Sequence, residues 1–135
     1  MEVLNGRRNQ ALFQYDDHRL HEHQGLHFRS ITEIRIYDAL IKRRLLVFPL
    51  PVAVLVDAGA YREPDFLVFV RNGRSGILEI HGSPYHSSET AAQEHDRRRR
   101  FLDLGVNVYE IYDAARCYNH SDQVVSDFVG RMTRG

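Results

Sequence analysis

Residues 64–86 read PDFLVFVRNGRSGILEIHGSPYH, and this stretch decides the fold. Two runs rich in β-branched and aromatic residues, 66–70 and 77–80, lie on either side of the turn signal Asn72-Gly73. Such runs favour strands, and an Asn-Gly pair between them is a strong short-range signal of a β-hairpin. The stretch therefore predicts two antiparallel strands joined by a tight turn.

The predicted hairpin brings three polar side chains together at its open end. If the chain turns around Asn72, Asp65 and Glu79 lie opposite each other, because both are equally far from the turn. A two-residue Asn-Gly turn would shift the register by one and make them diagonal neighbours instead. Glu79 and His81 share one face, since strand side chains alternate. Two carboxylates held this close need a cation or a shared proton, so the cluster is a candidate functional site.

The flanking sequence predicts an α/β domain. Ser30 and Glu33 form a capping-box pattern ahead of an apolar helical repeat, and Gly105 follows a second helical stretch as a terminating glycine. Besides the hairpin, the predicted elements are a helix over 31–46, a strand over 47–53 continuing to 56, a turn over 57–63, a helix from Ser87 or Ser88 to Leu104, a strand over 106–112 and a helix over 122–132. The order α-β-β-β-α-β-α indicates a mixed sheet flanked by helices.

The N-terminal residues 1–29 are predicted to form a polar, His-rich arm ahead of a single domain over 30–135. A short helical pattern over 10–15 is the one regular feature of the arm. Four histidines near Gly25 lack a regular metal-ligand spacing, which favours a solvated segment over a transition-metal site. They are His18, His21, His23 and His27.

Composition is that of a globular domain. The chain has 135 residues, 43% hydrophobic and 27% charged, with a formal net charge of zero. A global basic field is therefore absent, so any nucleic-acid affinity must come from local patches. The single cysteine, Cys117, excludes an internal disulfide and a thiolate zinc finger, and it favours an intracellular, cytoplasmic setting. No apolar run approaches the roughly 18–20 residues that span a bilayer, so no membrane partner is expected.

The acidic cluster suits a hard divalent cation. Mg²⁺ is usually held by one or two carboxylates together with waters and substrate phosphate oxygens, and Asp65 and Glu79 offer those carboxylates. Glu33 is a candidate for holding a second ion or a metal-coordinated water, or it is only the capping-box residue. His86, five residues after His81, is a candidate general base for activating water.

A zinc site is the competing prediction for the same region. His81, His86 and either His95 or Asp96 would supply three ligands and leave one position open, which is the pattern of a catalytic zinc.

Residues 94–100 read EHDRRRR and are predicted to lie on a helix. Asp96 precedes Arg100 by four residues, the spacing of a local ion pair. Four consecutive arginines cover almost the whole circumference of a helix, so some must face solvent or a ligand. Beside a candidate metal site they are predicted to contact nucleic-acid phosphates. The run is Arg97, Arg98, Arg99 and Arg100.

Taken together, these motifs resemble the PD-(D/E)xK nuclease superfamily, with histidine where the usual lysine stands. The closer resemblance is to the very-short-patch-repair endonuclease branch and the related DUF559 group. Those proteins share a Pro-Asp-Phe strand, a His-Gly or Asp-Gly turn followed closely by His, and a helix with Asp-x-x-Arg before a Leu-Gly-hydrophobic strand. Here the motifs read Pro64-Asp65-Phe66, Glu79-x-His81, His81-Gly82-Ser83-Pro84-Tyr85-His86 and, over 96–106, DRRRRFLDLGV. The match covers residues 30–130.

The resemblance implies a restriction-endonuclease-like fold and Mg²⁺-dependent cleavage of DNA phosphodiester bonds, with Mn²⁺ as a substitute ion. It makes Asp65 the main metal ligand, with Glu79 and the carbonyl of Ile80 as further ligands. Because one active site cuts one strand, small nucleases of this fold often dimerise, so a homodimer is a further expectation.

The resemblance also implies roles for two histidines and for Asp96, but this sequence departs from the family pattern in three ways. His86 matches the histidine that activates water, while His81 and Asp96 match the residues at the scissile phosphate. The lysine is replaced by His81, one cysteine cannot build the repair enzyme's zinc site, and no tryptophan is present to intercalate at a mismatch. Mismatch specificity is therefore not expected. Two alternatives stay open: a catalytically inactive DNA-binding module of the same fold and a zinc-dependent hydrolase.

Overall fold

The computed structural model describes residues 10–13, 20–56, 59–82 and 88–134. The elements are β1 (His21–His23), β2 (Leu26–Phe28), α1 (Ile31–Lys42), β3 (Leu46–Pro49), β4 (Ala53–Leu55), β5 (Ala60–Arg62), β6 (Phe66–Phe69), β7 (Ser75–His81), α2 (Ser88–Asp103), β8 (Val108–Asp113), α3 (Ala114–Asn119) and α4 (Ser121–Thr133). The predicted class, an α/β domain with a mixed sheet flanked by helices, is confirmed. None of the described helices is long and apolar enough to cross a membrane.

The central sheet has the strand order β3-β6-β7-β8. Strand β6 runs antiparallel to β3 and β7, whereas β8 is parallel to β7 and is reached through the crossover helix α2. Phe66 pairs with Leu78, so the hairpin is centred on Asn72 and the next pair outward is Asp65 and Glu79, as predicted. The turn is a three-residue loop with Gly73 at φ +88°, a left-handed conformation that glycine adopts without a Cβ clash.

Helices cover the sheet on both faces. On one face α1, α3 and α4 enclose the larger core, because alternate strand side chains point towards them. Its fully buried members include Ile36, Leu40, Phe66, Val68, Leu78, Val124 and Phe128. On the other face α2 and the β4–β5 hairpin enclose a smaller core of Leu55, Ile77, Phe101 and Tyr109. Glu79 and His81 belong to this second face, because they follow Ile77 by two and four residues along β7.

Helix ends follow the predicted signals, with one difference. The Ser30 side chain accepts a hydrogen bond from the Glu33 amide at 3.1 Å and starts α1. Helix α2 ends in a Schellman arrangement: Gly105, at φ +116°, donates its N–H to Leu102 and is followed by a Val106 N–H bond to the Phe101 carbonyl. Helix α1 was predicted to reach residue 46 but ends at Lys42, because the chain turns there to enter β3.

Two further predictions of local structure were wrong. The strand expected over 47–56 is interrupted at Leu50, where φ is +47°, and its second half is the separate strand β4. The turn expected over 57–63 contains strand β5, which pairs with β4 as an independent hairpin. The short helix α3 was not predicted, because six residues between a strand and another helix carry too little periodicity to be seen.

Part of the segment 1–29 packs against the rest of the molecule. Strands β1 and β2 form a hairpin, and Phe28 is completely buried with its ring 5.2 Å from that of Tyr37. Ala11 is also fully buried and donates its N–H to the Leu50 carbonyl at 2.9 Å. Residues 10–13 are not helical, contrary to the short helix predicted over 10–15, whose last two residues lie outside the described part.

Candidate active site

Three carboxylates from different elements interact at the open end of the β6–β7 hairpin. Asp65 precedes β6, Glu79 lies on β7, and Glu33 lies in the first turn of α1. The register that pairs Phe66 with Leu78 sets Asp65 opposite Glu79, and the Ile80 N–H donates to Asp65 Oδ2 at 2.7 Å. The predicted juxtaposition of Asp65 and Glu79 is thus present.

The pKa of Asp65 is raised well above its ordinary value. Burial contributes most, and the negative charges of Glu79 and then Glu33 add to it, while the Ile80 amide bond works in the opposite direction. A carboxylate in this position is stabilised when a proton or a cation neutralises its charge.

Glu79 is almost fully buried and already has two donors. Its side chain is 4% exposed, and its Oε1 accepts hydrogen bonds from Arg97 Nη2 at 2.6 Å and from the Tyr109 hydroxyl at 3.0 Å. Burial, and after it the charge of the same carboxylate, raises the pKa of Tyr109, so this hydroxyl remains a donor at any physiological pH. Arg97 therefore supplies a cation to the buried acid from helix α2.

Glu33 closes the capping box, and its charge also acts on the acidic cluster. Its Oε1 accepts the Arg29 N–H at 2.6 Å, and the Ser30 amide also bonds to it, so it closes the capping box. Burial nonetheless raises the pKa of Glu33, which the Arg29 and Ser30 amides and the Arg29 charge only partly offset. Its charge also reaches Asp65, so the capping residue belongs electrostatically to the acidic cluster.

A fourth acid, Glu63, was not predicted as part of the site. Its side chain is fully buried, forms an ion pair with Arg29 and accepts the Phe13 N–H at 2.9 Å. Arg29 in turn donates to the Phe13 carbonyl at 2.6 Å, which ties residues 10–13 to the edge of the site. Glu63 also raises the pKa of Glu33. The sequence signal is Glu63-Pro64-Asp65, in which two acids flank a buried proline. Because residues 57–63 were predicted to form a turn, Glu63 was not predicted to belong to the site.

A cleft of about 510 Å³ lies between α2 and the β4–β5 hairpin, and Arg97, which lines it, bonds Glu79. His81 lies in this cleft, and its Nδ1 is 2.8 Å from Glu94 Oε1. Asp96 is exposed and bonds Arg100 at 2.8 Å, which lowers the pKa of Asp96. The cleft is lined by Arg62, His81, Gln93, Glu94, Asp96, Arg97 and Arg100.

The four arginines of α2 divide between two faces. Arg97 and Arg100 line the cleft and bond Glu79 and Asp96. Arg98 and Arg99 are exposed on the opposite face, in a shallow groove with His95 and Asp103. The helical period separates them, since residues three or four apart share a face.

The donor groups fit a hard cation better than zinc. Among the described residues, no group of three or more His, Cys, Asp or Glu side chains forms a ready-made metal site. Mg²⁺ does not require one, because one or two carboxylates suffice when waters and substrate oxygens complete its shell. Asp65 and Glu79, opposite each other at the open end of the hairpin, are the carboxylates that could hold such an ion. For zinc, His81 and Asp96 share the cleft, whereas His95 lies on the other face of α2.

Some predicted histidine positions fall outside this geometry. His86 and His18 lie outside the described residues. Of the other N-terminal histidines, His23 Nε2 is 2.8 Å from Asp38 Oδ1 and its ring packs near Phe28 and Tyr37, which is a structural role.

Comparisons with known proteins add little to this geometry. No family model matches the chain, and no curated protein matches it. A solved structure described as a VRR_NUC domain is similar, with a TM-score of 0.38 and 20% identity, over 72% of this chain and 97% of that chain. A likeness this distant carries no argument about function, so the activity must be inferred from the site itself.

Proposed function

We propose that the chain is a metal-dependent DNA endonuclease that hydrolyses phosphodiester bonds with Mg²⁺, or with Mn²⁺ in its place. The observation that carries this proposal is the position of Asp65, partly buried opposite Glu79 at the open end of the hairpin, where Arg97 connects Glu79 to an arginine-lined cleft. Burial and the negative charges of Glu79 and Glu33 make the charge of Asp65 unfavourable, which favours a divalent cation, and cleft arginines favour a phosphate-bearing substrate.

In this proposal Asp65, Glu79 and the carbonyl of Ile80 hold the ion. When bound, Mg²⁺ supplies Lewis-acid polarisation of the phosphodiester and stabilises negative charge in the transition state. The Ile80 N–H fixes the orientation of the Asp65 carboxylate through its bond to Oδ2. Arg97 holds Glu79 in place through Oε1 and carries a positive charge at the site that lacks the usual lysine.

A histidine accepts the proton of the attacking water. Glu94 favours the His81 tautomer with its proton on Nδ1, which leaves Nε2 as the acceptor. His86, which lies outside the described residues, is the second candidate for this step. Arg100, oriented by Asp96, contacts the phosphate inside the cleft, while Arg98 and Arg99 contact neighbouring phosphates of the DNA backbone.

A catalytically inactive DNA-binding module is the second candidate. It is favoured by the two hydrogen bonds that Glu79 Oε1 already accepts, from Arg97 and Tyr109, because they reduce its capacity to bind an ion. Calorimetric titration with Mn²⁺ separates the two. Binding that disappears in Asp65→Ala supports the nuclease, and no binding at millimolar Mn²⁺ supports the inactive module.

The direct test is nicking of supercoiled plasmid DNA with Mg²⁺ or Mn²⁺. The wild-type protein is expected to nick the plasmid, and Asp65→Ala is expected to reduce the rate at least 100-fold, because it removes the main ligand. Asp122→Ala is the matched control: Asp122 is 77% exposed on α4, where it pairs weakly with Lys42, and its loss should leave the rate unchanged. Robust cleavage by purified Asp65→Ala protein would refute the assignment.

A further inference from the structure

We propose that Arg97 has two alternative partners, the buried Glu79 carboxylate and a phosphate of bound DNA, and that a divalent cation decides between them. In the structure Arg97 bonds Glu79. When an ion is held by Asp65 and Glu79, the guanidinium is released to a phosphate in the cleft, so DNA affinity rises with ion binding. The inference rests on the proposed nuclease function for the ion and the DNA, and it adds a coupling between the two.

Arg97 lies at the boundary between the buried acids and the open cleft. Its Nη2 donates to Glu79 Oε1 at 2.6 Å, and that carboxylate is 4% exposed. The Arg97 side chain itself is 32% exposed and lines the cleft together with Arg62 and Arg100. A change of side-chain rotamer is therefore enough to turn the guanidinium from the acid to the cleft, and helix α2 does not have to move.

The charges at the site balance in two ways. In the structure the positive charge of Arg97 compensates the negative charge of Glu79, and a buried carboxylate needs such a partner. A divalent cation on Asp65 and Glu79 compensates both carboxylates by itself, because two negative charges meet two positive ones. The attraction of Glu79 for Arg97 is then cancelled. A phosphate in the cleft becomes the stronger partner, since guanidinium groups bind phosphate in a bidentate manner.

Arg100 lines the same cleft but has a different kind of partner. Its Nε donates to Asp96 at 2.8 Å, and Asp96 is exposed and is not a ligand of the proposed ion. Exposed pairs four residues apart on a helix contribute little, so Arg100 can exchange Asp96 for a phosphate whether or not an ion is bound. The contact of Arg97 with DNA, in contrast, is expected to depend on the ion.

The first test is fluorescence anisotropy with a short labelled duplex in EDTA and in Ca²⁺, which takes oxygen ligands as Mg²⁺ does, with gel electrophoresis to verify that the duplex stays intact. Wild-type affinity is expected to rise in Ca²⁺. Arg97→Gln should weaken binding roughly tenfold in Ca²⁺ but less than about twofold in EDTA. Arg100→Gln is the matched control, an equal charge change in the same cleft, and it should weaken binding by the same factor in both conditions.

A second set of variants tests the same exchange in EDTA alone. Glu79→Gln keeps an oxygen for its donors but removes the charge that holds Arg97, so it is expected to bind the duplex roughly tenfold more tightly than wild type. Its slope of log affinity against log salt should steepen by about 0.9, the gain of one phosphate contact. Both gains should disappear in the double variant Glu79→Gln/Arg97→Gln. Because the double variant has neither charge, it is expected to fold even if Arg97→Gln alone does not.

The outcomes separate this inference from the nuclease proposal. Equal effects of Arg97→Gln in EDTA and Ca²⁺, or a Glu79→Gln gain that persists in the double variant, overturn the inference and leave the nuclease to the plasmid assay. A wild-type protein that nicks plasmid but binds the duplex equally well in EDTA and Ca²⁺ also overturns the inference and leaves the nuclease standing. Ion-coupled binding through Arg97 in a protein that never nicks supports the inference and refutes the nuclease.

Discussion

Folding places Asp65 where its own negative charge is unfavourable. Burial and the two neighbouring carboxylates raise its pKa, so the folded protein binds this proton more tightly than the unfolded chain does. The stabilisation from that protonation is fully present below the unfolded pKa of about 3.9 and is lost as the pH rises through the folded pKa. At neutral pH without a cation, Asp65 therefore lowers the stability of the fold.

Asp65→Asn removes this cost while keeping an oxygen to accept the Ile80 amide bond. In EDTA the variant is expected to melt at a higher temperature than wild type at pH 7.5, by roughly 3–5 °C for each kcal/mol gained. The difference in melting temperature should shrink as the pH falls and vanish well below about pH 3.9, where Asp65 is protonated in both the folded and the unfolded wild-type chain. Added Mg²⁺ should raise the melting temperature of wild type more than that of Asp65→Asn. A difference that does not change with pH would contradict this account.

Helix α2 carries arginines on two faces, and the surroundings of these arginines differ. Arg97 reaches inward to a Glu79 side chain that is 4% exposed, whereas Arg99 is 73% exposed and 3.9 Å from Asp103. A buried carboxylate that loses its cation bears the full cost of desolvation, but an exposed pair at this distance contributes little.

Arg97→Gln is therefore expected to lower the free energy of unfolding by about 1–3 kcal/mol, and the matched variant Arg99→Gln by less than about 0.5 kcal/mol. Urea unfolding monitored by circular dichroism measures both. Because the lost charge is next to the proposed metal site, Mn²⁺ should restore part of the stability of Arg97→Gln. Equal losses in the two variants would show that the contact with Glu79 carries no special weight.

The elements also show what the sequence can and cannot reveal. The β6–β7 hairpin, its register around Asn72 and the glycine end of α2 were predictable, because each depends on residues close together in the chain. The β4–β5 hairpin was missed, because its three-residue strands carry almost no periodicity and Leu55 is held by tertiary contacts. The donors to Glu79, Arg97 and Tyr109, were missed for a related reason: they lie 18 and 30 residues away, and only the sheet and crossover bring them together.

At the scale of the whole molecule, the edge of the acidic site is bonded to a segment far away in sequence. Residues 10–13 reach the site through Phe13, whose N–H and carbonyl bond to Glu63 and Arg29. Those two side chains are 0% and 16% exposed, so the pair is an internal connection between the N-terminal segment, the start of α1 and the entry to β6. The connection joins Arg29, four residues before Glu33, to Glu63, two residues before Asp65.

A double-mutant cycle measures this connection. Arg29→Met should lower the free energy of unfolding by about 3–5 kcal/mol, because it leaves the buried Glu63 carboxylate without its cation. Glu63→Gln, which keeps an oxygen for the Phe13 amide, should cost less. The loss of unfolding free energy in the double variant should be smaller than the sum of the two single losses by about 1–3 kcal/mol. Arg35→Met is the matched control, since Arg35 is exposed and its guanidinium bonds and stacks on the surface residue Tyr118, so its loss should cost under about 1 kcal/mol. Strict additivity of Arg29→Met and Glu63→Gln would mean that the N-terminal segment is held by its apolar contacts alone, with Ala11 and Phe28 doing what is here assigned to the ion pair.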